Sequence, residues 1–139
     1  MDKERILSRL DLLNGYLQDL DKHTPKSQKE YSANVEKRRF VERTLQLSIE
    51  VCIDLCALLV RELKLGLPSE EESVFDKLVV AKVISPSTKS KLSGMKSFRN
   101  VLIHKYVEIN DRLVYENATK NLKDFRDFQK EILKFIKKR

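Results

Sequence analysis

From Lys26 to Leu65 the chain contains neither glycine nor proline. A run of that length without a breaker has few solutions other than helix. Within it Val41, Leu45, Ser48, Cys52, Leu55 and Leu59 recur at intervals of three and four, which lays small and apolar side chains along one stripe. The reading is one long helix over 26–65, ended by the "LGLP" that follows. The rest of the chain follows the same rule. Gly 3 and Pro 3 in 139 residues leave few turns, so the elements are long. Ile6, Leu10, Leu13, Leu17 and Leu20 mark a first helix that fades at "DKHTPK". "PSEEESVFDKLVVAKVI" opens a third helix with a capping box of Ser69 and Glu72, its acidic run suiting a helix N-terminus. Ser85 and Pro86 open a fourth, expected to run through Gly94 and to end between Val107 and Asn110. Leu122, Phe125, Phe128, Ile132 and Ile136 give the last helix its inner face. No segment reads as a strand. The expected fold is a single all-α domain over 1–139, an up-down bundle of four to five helices with a long second helix.

Composition narrows the function classes. Charged residues at 35% and apolar ones at 41% suit a water-soluble bundle. The longest apolar run, "VCIDLCALLV", is too short to span a membrane and holds an aspartate. The charged start "MDKERILSRL" has no signal-peptide core, so the expected location is the cytoplasm and no membrane partner is expected. A net charge of +7 favours a polyanionic partner, nucleic acid before membrane. Cys52 and Cys56 sit one helical turn apart among apolar neighbours, without two further ligands nearby, and read as buried reduced thiols. Of the two histidines, His23 lies in a polar link and is assigned no role.

The other histidine lies in "SFRNVLIHKYVEI", residues 97–109. On a regular helix His104 falls about 140° round from Arg99, while Asn100 and His104 form an i,i+4 pair in which the amide can orient the imidazole. Arg99 and Tyr106 return to nearly one line. These groups flank a ridge, and packing that ridge on its copy across a two-fold axis would bring two sets together, which suggests a homodimer. There is no P-loop, Ser–His–Asp signature, paired carboxylate or metal-ligand cluster; no metal and no cofactor are expected. An imidazole that moves protons and a guanidinium that neutralises phosphate suffice for metal-independent RNA cleavage. His104 would activate the ribose 2′-hydroxyl or protonate the leaving oxygen, and the need for that hydroxyl makes RNA the substrate and excludes DNA. From the pair alone, a satisfied polar group in an ordinary bundle is the more frequent explanation, and Tyr106 is equally at home in a core.

"FRNVLIHKY" resembles the Arg-x4-His-x-Tyr motif of the HepT-like ribonuclease toxins, a branch of the HEPN superfamily. "VERTLQLSIEVCIDLCALLV", "LGLPSEEESVFDKLVVAKVIS" and "LSGMKSFRNVLIHKYVEIND" resemble that family's successive blocks in order, and with the terminal helix cover nearly the whole chain. The resemblance implies a helical homodimer that is the toxin of a toxin–antitoxin pair. It places Arg99 and His104 at the catalytic positions and gives Asn100 an orienting role. Tyr106 matches the tyrosine to which a minimal nucleotidyltransferase antitoxin attaches AMP, silencing the toxin. A phenol so placed could carry phosphates that occlude the cleft and compete for Arg99.

Asp54 interrupts an apolar run, and a buried carboxylate needs a partner. Arg99 or His104 could supply it, giving Asp54 a site-shaping role; pairing with an unrelated cation, or exposure on the polar side of the helix, explains it equally well. Two rivals stand beside the ribonuclease: a non-catalytic bundle that holds nucleotide or substrate for a nucleotidyltransferase, and a plain helical adaptor. Nucleotide binding without cleavage distinguishes the first. Loss of stability on removing Arg99 or His104 distinguishes the second.

Overall fold

The structure, a computed structural model, describes residues 1–104 and 108–139. Among these are seven helices: α1 (Lys3–His23), α2 (Gln28–Ala33), α3 (Val35–Glu62), α4 (Glu71–Val80), α5 (Pro86–Ile103), α6 (Asp111–Ala118) and α7 (Leu122–Lys137). Five have ten residues or more, as expected of the bundle, and α2 and α6 are short additions.

The run expected as one helix over 26–65 is two. Asn34 leaves the helical region, and its side-chain oxygen accepts from the Lys37 amide at 3.0 Å, capping α3 and ending α2. Asparagine is among the strongest capping residues, and this local bond outweighs the absence of a breaker. α3 is the axis of the fold, packed by α1, α2, α4, α5 and α6. From Ile49 to Val60 it is buried on nearly every side, as a helix surrounded by others must be. Its hydroxyls are satisfied within the helix: Thr44 donates to the Phe40 carbonyl and Ser48 to that of Thr44, both at 2.7 Å. Cys52 and Cys56 are free, buried thiols, and burial pushes both up from the ordinary thiol range.

α3 and α4 end alike. Lys64 (φ 54°) and Lys82 (φ 60°) take the left-handed conformation just past each helix. The following amides close the turns, Leu65 on the Val60 carbonyl at 3.0 Å and Val83 on that of Leu78 at 2.9 Å. These are Schellman closures with lysine where glycine is usual. Gly66, expected to stop α3, comes two residues later, also at positive φ.

α7 turns Leu122, Phe125, Phe128, Ile132 and Ile136 into the core against α1 and α5. It runs antiparallel to α5, as two contacts fix: the Ser85 amide donates to Glu131 at 3.0 Å, and Lys91 reaches Asp127 at 3.1 Å. No described helix is long and apolar enough to cross a membrane.

Candidate functional site

α5 delivers the candidate residues. Ser85 caps it, its hydroxyl oxygen accepting from the Thr88 amide at 3.1 Å, with Pro86 in the first turn as the sequence suggests. Thr88, Leu92, Met95 and Phe98 face the core. That register puts Arg99 on the flank of the buried face and Asn100 in solvent.

The helix stops sooner than expected. Its last residue is Ile103, and His104 is the C-terminal cap with extended backbone (φ −81°, ψ 108°). His104 is exposed, and so is Ile103 before it. Among the described residues no hydrogen bond joins Asn100 to His104, whose own ψ turns the chain out of the helix. The Asn100 amide bonds elsewhere: its oxygen accepts from Arg99 Nε at 3.1 Å. Tyr106 lies outside the described residues. The chain is described again from Glu108, and Asn110 caps α6 by accepting from the Leu113 amide at 3.2 Å. Asp111 meets Arg38 of α3 at 3.3 Å, tying this return to the central helix.

The guanidinium of Arg99 is held from a second helix. Its Nη2 lies 3.0 and 3.2 Å from the two carboxylate oxygens of Glu71, in the first turn of α4. The Arg99 side chain is 15% exposed and that of Glu71 41%. Glu71 belongs to an edge of like-ordered pairs between α4 and α5. Asp76 pairs with Lys89, and Glu72 accepts from Ser93 and, at 3.0 Å, from Lys96. The Ser93 hydroxyl and the Lys96 ammonium hold the Glu72 carboxyl below the ordinary glutamate value. The expected capping box is therefore absent. Glu70 occupies the cap position without a side-chain bond, and Glu72 reaches across to α5 instead of back to Ser69. The acidic run complements the cations of α5 more than the dipole of its own helix.

Asp54 corrects the reading of a buried carboxylate. It is exposed on a polar stripe of α3 with Arg43, Glu50 and Arg61, at spacings of seven, four and seven. It lines a groove of about 390 Å³ with Ser8, Arg9, Leu12 and Val51, toward α1. The carboxylate that meets Arg99 is Glu71, which sequence reading passed over as a helix-end charge. Its signal was weak but present: three consecutive acids exceed what one helix terminus needs. No group of three or more potential metal ligands occurs among the described residues.

What this arrangement can do follows from its chemistry. An oriented guanidinium with covered stem can neutralise a phosphate, and an exposed imidazole at the end of the same helix can take or give a proton. The two Cα positions are five residues apart, a rise of roughly 7.5 Å along a helix axis.

Comparison with known proteins supplies the context. The tRNA nuclease HepT of Aphanizomenon flos-aquae is 25% identical over 131 residues, covering 94% of this chain and 89% of the relative. The mRNA nuclease HepT of Shewanella oneidensis is 31% identical over 84 residues, 60% of this chain and 63% of its own. Among solved structures, a tri-AMPylated HEPN toxin of Shewanella oneidensis in complex with an MNT antitoxin superposes with a TM-score of 0.85 at 22% identity, over 93% of this chain and 96% of that one. YutE of Bacillus subtilis, a cytosolic protein of unknown function, gives 0.83 at 18% identity, over 99% and 92%. These two share the fold. Residues 13–132 match the family model for ribonuclease HepT-like proteins, and the chain belongs to that family.

Proposed function

We propose that this protein is the toxin of a toxin–antitoxin pair, a metal-independent endoribonuclease. Its family membership and two HepT nuclease relatives support that activity. The observation that carries the reading to residues is the Arg99 guanidinium, held by Glu71 and Asn100 on the helix that ends at His104. In the reaction a ribose 2′-oxygen attacks the adjacent phosphorus as its proton leaves, and the bond to the 5′-oxygen breaks. A 2′,3′-cyclic phosphate and a 5′-hydroxyl result. His104 takes the first proton or supplies the one the leaving oxygen needs. Arg99 neutralises the charge that gathers on the phosphorane-like oxygens. The active form is a homodimer, with the exposed ends of two α5 helices contributing to one cleft.

The partner is a nucleotidyltransferase antitoxin, and Tyr106 is the residue it modifies. Support comes from the fold shared with an AMPylated toxin in complex with its MNT antitoxin. Bulky anionic phosphates two residues from His104 would compete with RNA for Arg99. Intact mass of the chain, produced alone and beside its partner with ATP, tests this. AMP increments that map to Tyr106 and vanish in Tyr106→Phe support it; no adduct from a demonstrably active partner removes it. Total RNA incubated with the unmodified protein in EDTA tests the nuclease. Fragments ending in cyclic phosphate are expected, and nucleotide binding without cleavage would leave a nucleotide-holding companion instead.

A further inference from the structure

We propose that Glu71 is a positioning residue for RNA cleavage, fixing the Arg99 guanidinium so that its remaining N–H groups meet the scissile phosphate; this rests on the role given to Arg99 above. An arginine side chain has many rotamers, and an untethered one spends little time in any single orientation. Here two acceptors restrict it. The Glu71 carboxylate takes Nη2 from α4, and Asn100 Oδ1 takes Nε from α5 itself. Between them they occupy the Nε–Nη2 edge and define the guanidinium plane. Among the described residues no acceptor meets Nη1, and its two N–H groups are the ones offered to the phosphate. A planar fork held along one edge while the other binds an oxyanion is a preorganised arrangement, with little left to order when charge develops.

The rest of the α4–α5 edge makes Glu71 a firm hold. Glu72 with Ser93 and Lys96, and Asp76 with Lys89, fasten the first two turns of α4 to α5, so the backbone beneath Glu71 is fixed relative to Arg99. Removing the Glu71 carboxylate leaves the Arg99 guanidinium, 15% exposed, with Asn100 as its remaining partner, so the melts of the Glu71 variants separate lost alignment from lost folding. The opposite possibility, that Glu71 masks Arg99 and substrate must displace it, makes the reverse kinetic prediction.

The test is steady-state cleavage of one synthetic RNA, chosen for being cut by the parent protein, by four purified proteins: parent, Glu71→Ala, Glu71→Gln and Glu72→Gln. Thermal melts check folding. Glu71→Ala should lower kcat by about ten- to a hundredfold, the size expected of a misaligned reacting group. KM should stay within about threefold, because phosphates elsewhere on the RNA still bind. Glu71→Gln keeps an oxygen that accepts from Nη2 and should recover most of the rate. Glu72→Gln removes a neighbouring charge without touching Arg99, and with Asp76–Lys89 and the buried Val74, Phe75 and Leu78 still holding α4 it should lose no more than about threefold. Parent-like or faster turnover by Glu71→Ala overturns the proposal, the faster case in favour of masking. An equal loss in Glu72→Gln overturns it as well, since the effect would then come from α4 as a whole. If no RNA is cut by the parent, the ribonuclease reading itself falls, and this one with it.

Discussion

Arg99→Ala and Phe98→Ala change neighbouring residues of α5 and should have opposite effects on folding and activity. Phe98 is 8% exposed and faces the core, so its truncation should cost about 3–5 kcal/mol. Arg99 makes its ion pair with a carboxylate that is 41% exposed, where water replaces the lost partner. That pair contributes about 0–1 kcal/mol, and the covered aliphatic stem adds on the order of 1 kcal/mol. For 139 residues, the usual entropy of unfolding translates 1 kcal/mol into a Tm change of about 3–4 °C. Phe98→Ala should therefore lower Tm by roughly 10–17 °C and Arg99→Ala by less than about 7 °C. Cleavage should run the other way, with Arg99→Ala losing about a hundred- to a thousandfold in kcat at temperatures where it is fully folded. Circular dichroism melts and cleavage of the same RNA give both quantities. A fall in Tm as large as that of Phe98→Ala would make Arg99 a structural group. Parent-like cleavage by a folded Arg99→Ala protein would refute its catalytic role.

Glu72 gives stability a dependence on acid. Its carboxyl is depressed in the folded state, so its contribution is complete above the ordinary value of 4.5 and is lost as the pH falls through the lower folded value. Urea titrations of the parent and Glu72→Gln should differ above pH 4.5 and converge below it. Lys82→Gly should raise Tm by up to about 4 °C, because glycine relieves a left-handed residue at some cost in unfolded-chain entropy; a lower Tm would show that the lysine side chain matters more than its backbone. Asp54→Asn should shift stability by less than about 0.5 kcal/mol, as befits an exposed side chain, and a parent-like cleavage rate would end its candidacy for the site. If His104 moves a proton, the rate of the chemical step should vary with pH between roughly 5 and 9, and a flat profile would argue against that role.

The parts of the fold that depend on periodicity could be read from the sequence. The apolar spacing of α1, the stripe of α3 and the inner face of α7 each match the buried residues, because burial imposes a 3.6-residue repeat whatever the partner helix is. Events decided by single bonds could not. Asn34 divides a breaker-free run because its own side chain caps the helix that follows. Ile103 ends α5 without a glycine, proline or other local stop signal to mark the place. Lys64 and Lys82 close their helices at positions where a reader looks for glycine. Of the residues proposed for the site, Arg99, Asn100 and His104 were conspicuous in the sequence because they lie on one short motif. Glu71 was not, since its partner is 28 residues away and only the packing of α4 on α5 brings them together. Asp54 misleads for the complementary reason: a charge within an apolar run signals burial only if the helix is enclosed on that side, and α3 keeps an open stripe there.

The pairing of α4 with α5 also changes how the protein's charge presents itself. Lys89, Lys96 and Arg99 each face a carboxylate, so the flank leading to His104 contributes little to the net +7. Lys130, Lys134, Lys137 and Lys138 instead gather along one groove of α7, beyond the point where Glu131 meets the start of α5. Because α7 runs antiparallel to α5, these lysines lie toward the start of α5 and away from its end. On the ribonuclease proposal, a long RNA attracted to these lysines would meet the bundle away from Arg99 and have to reach across it, whereas a short one would gain little from long-range steering. For the proposed nuclease, the rate of capture should therefore depend on the length of the RNA as well as on its sequence.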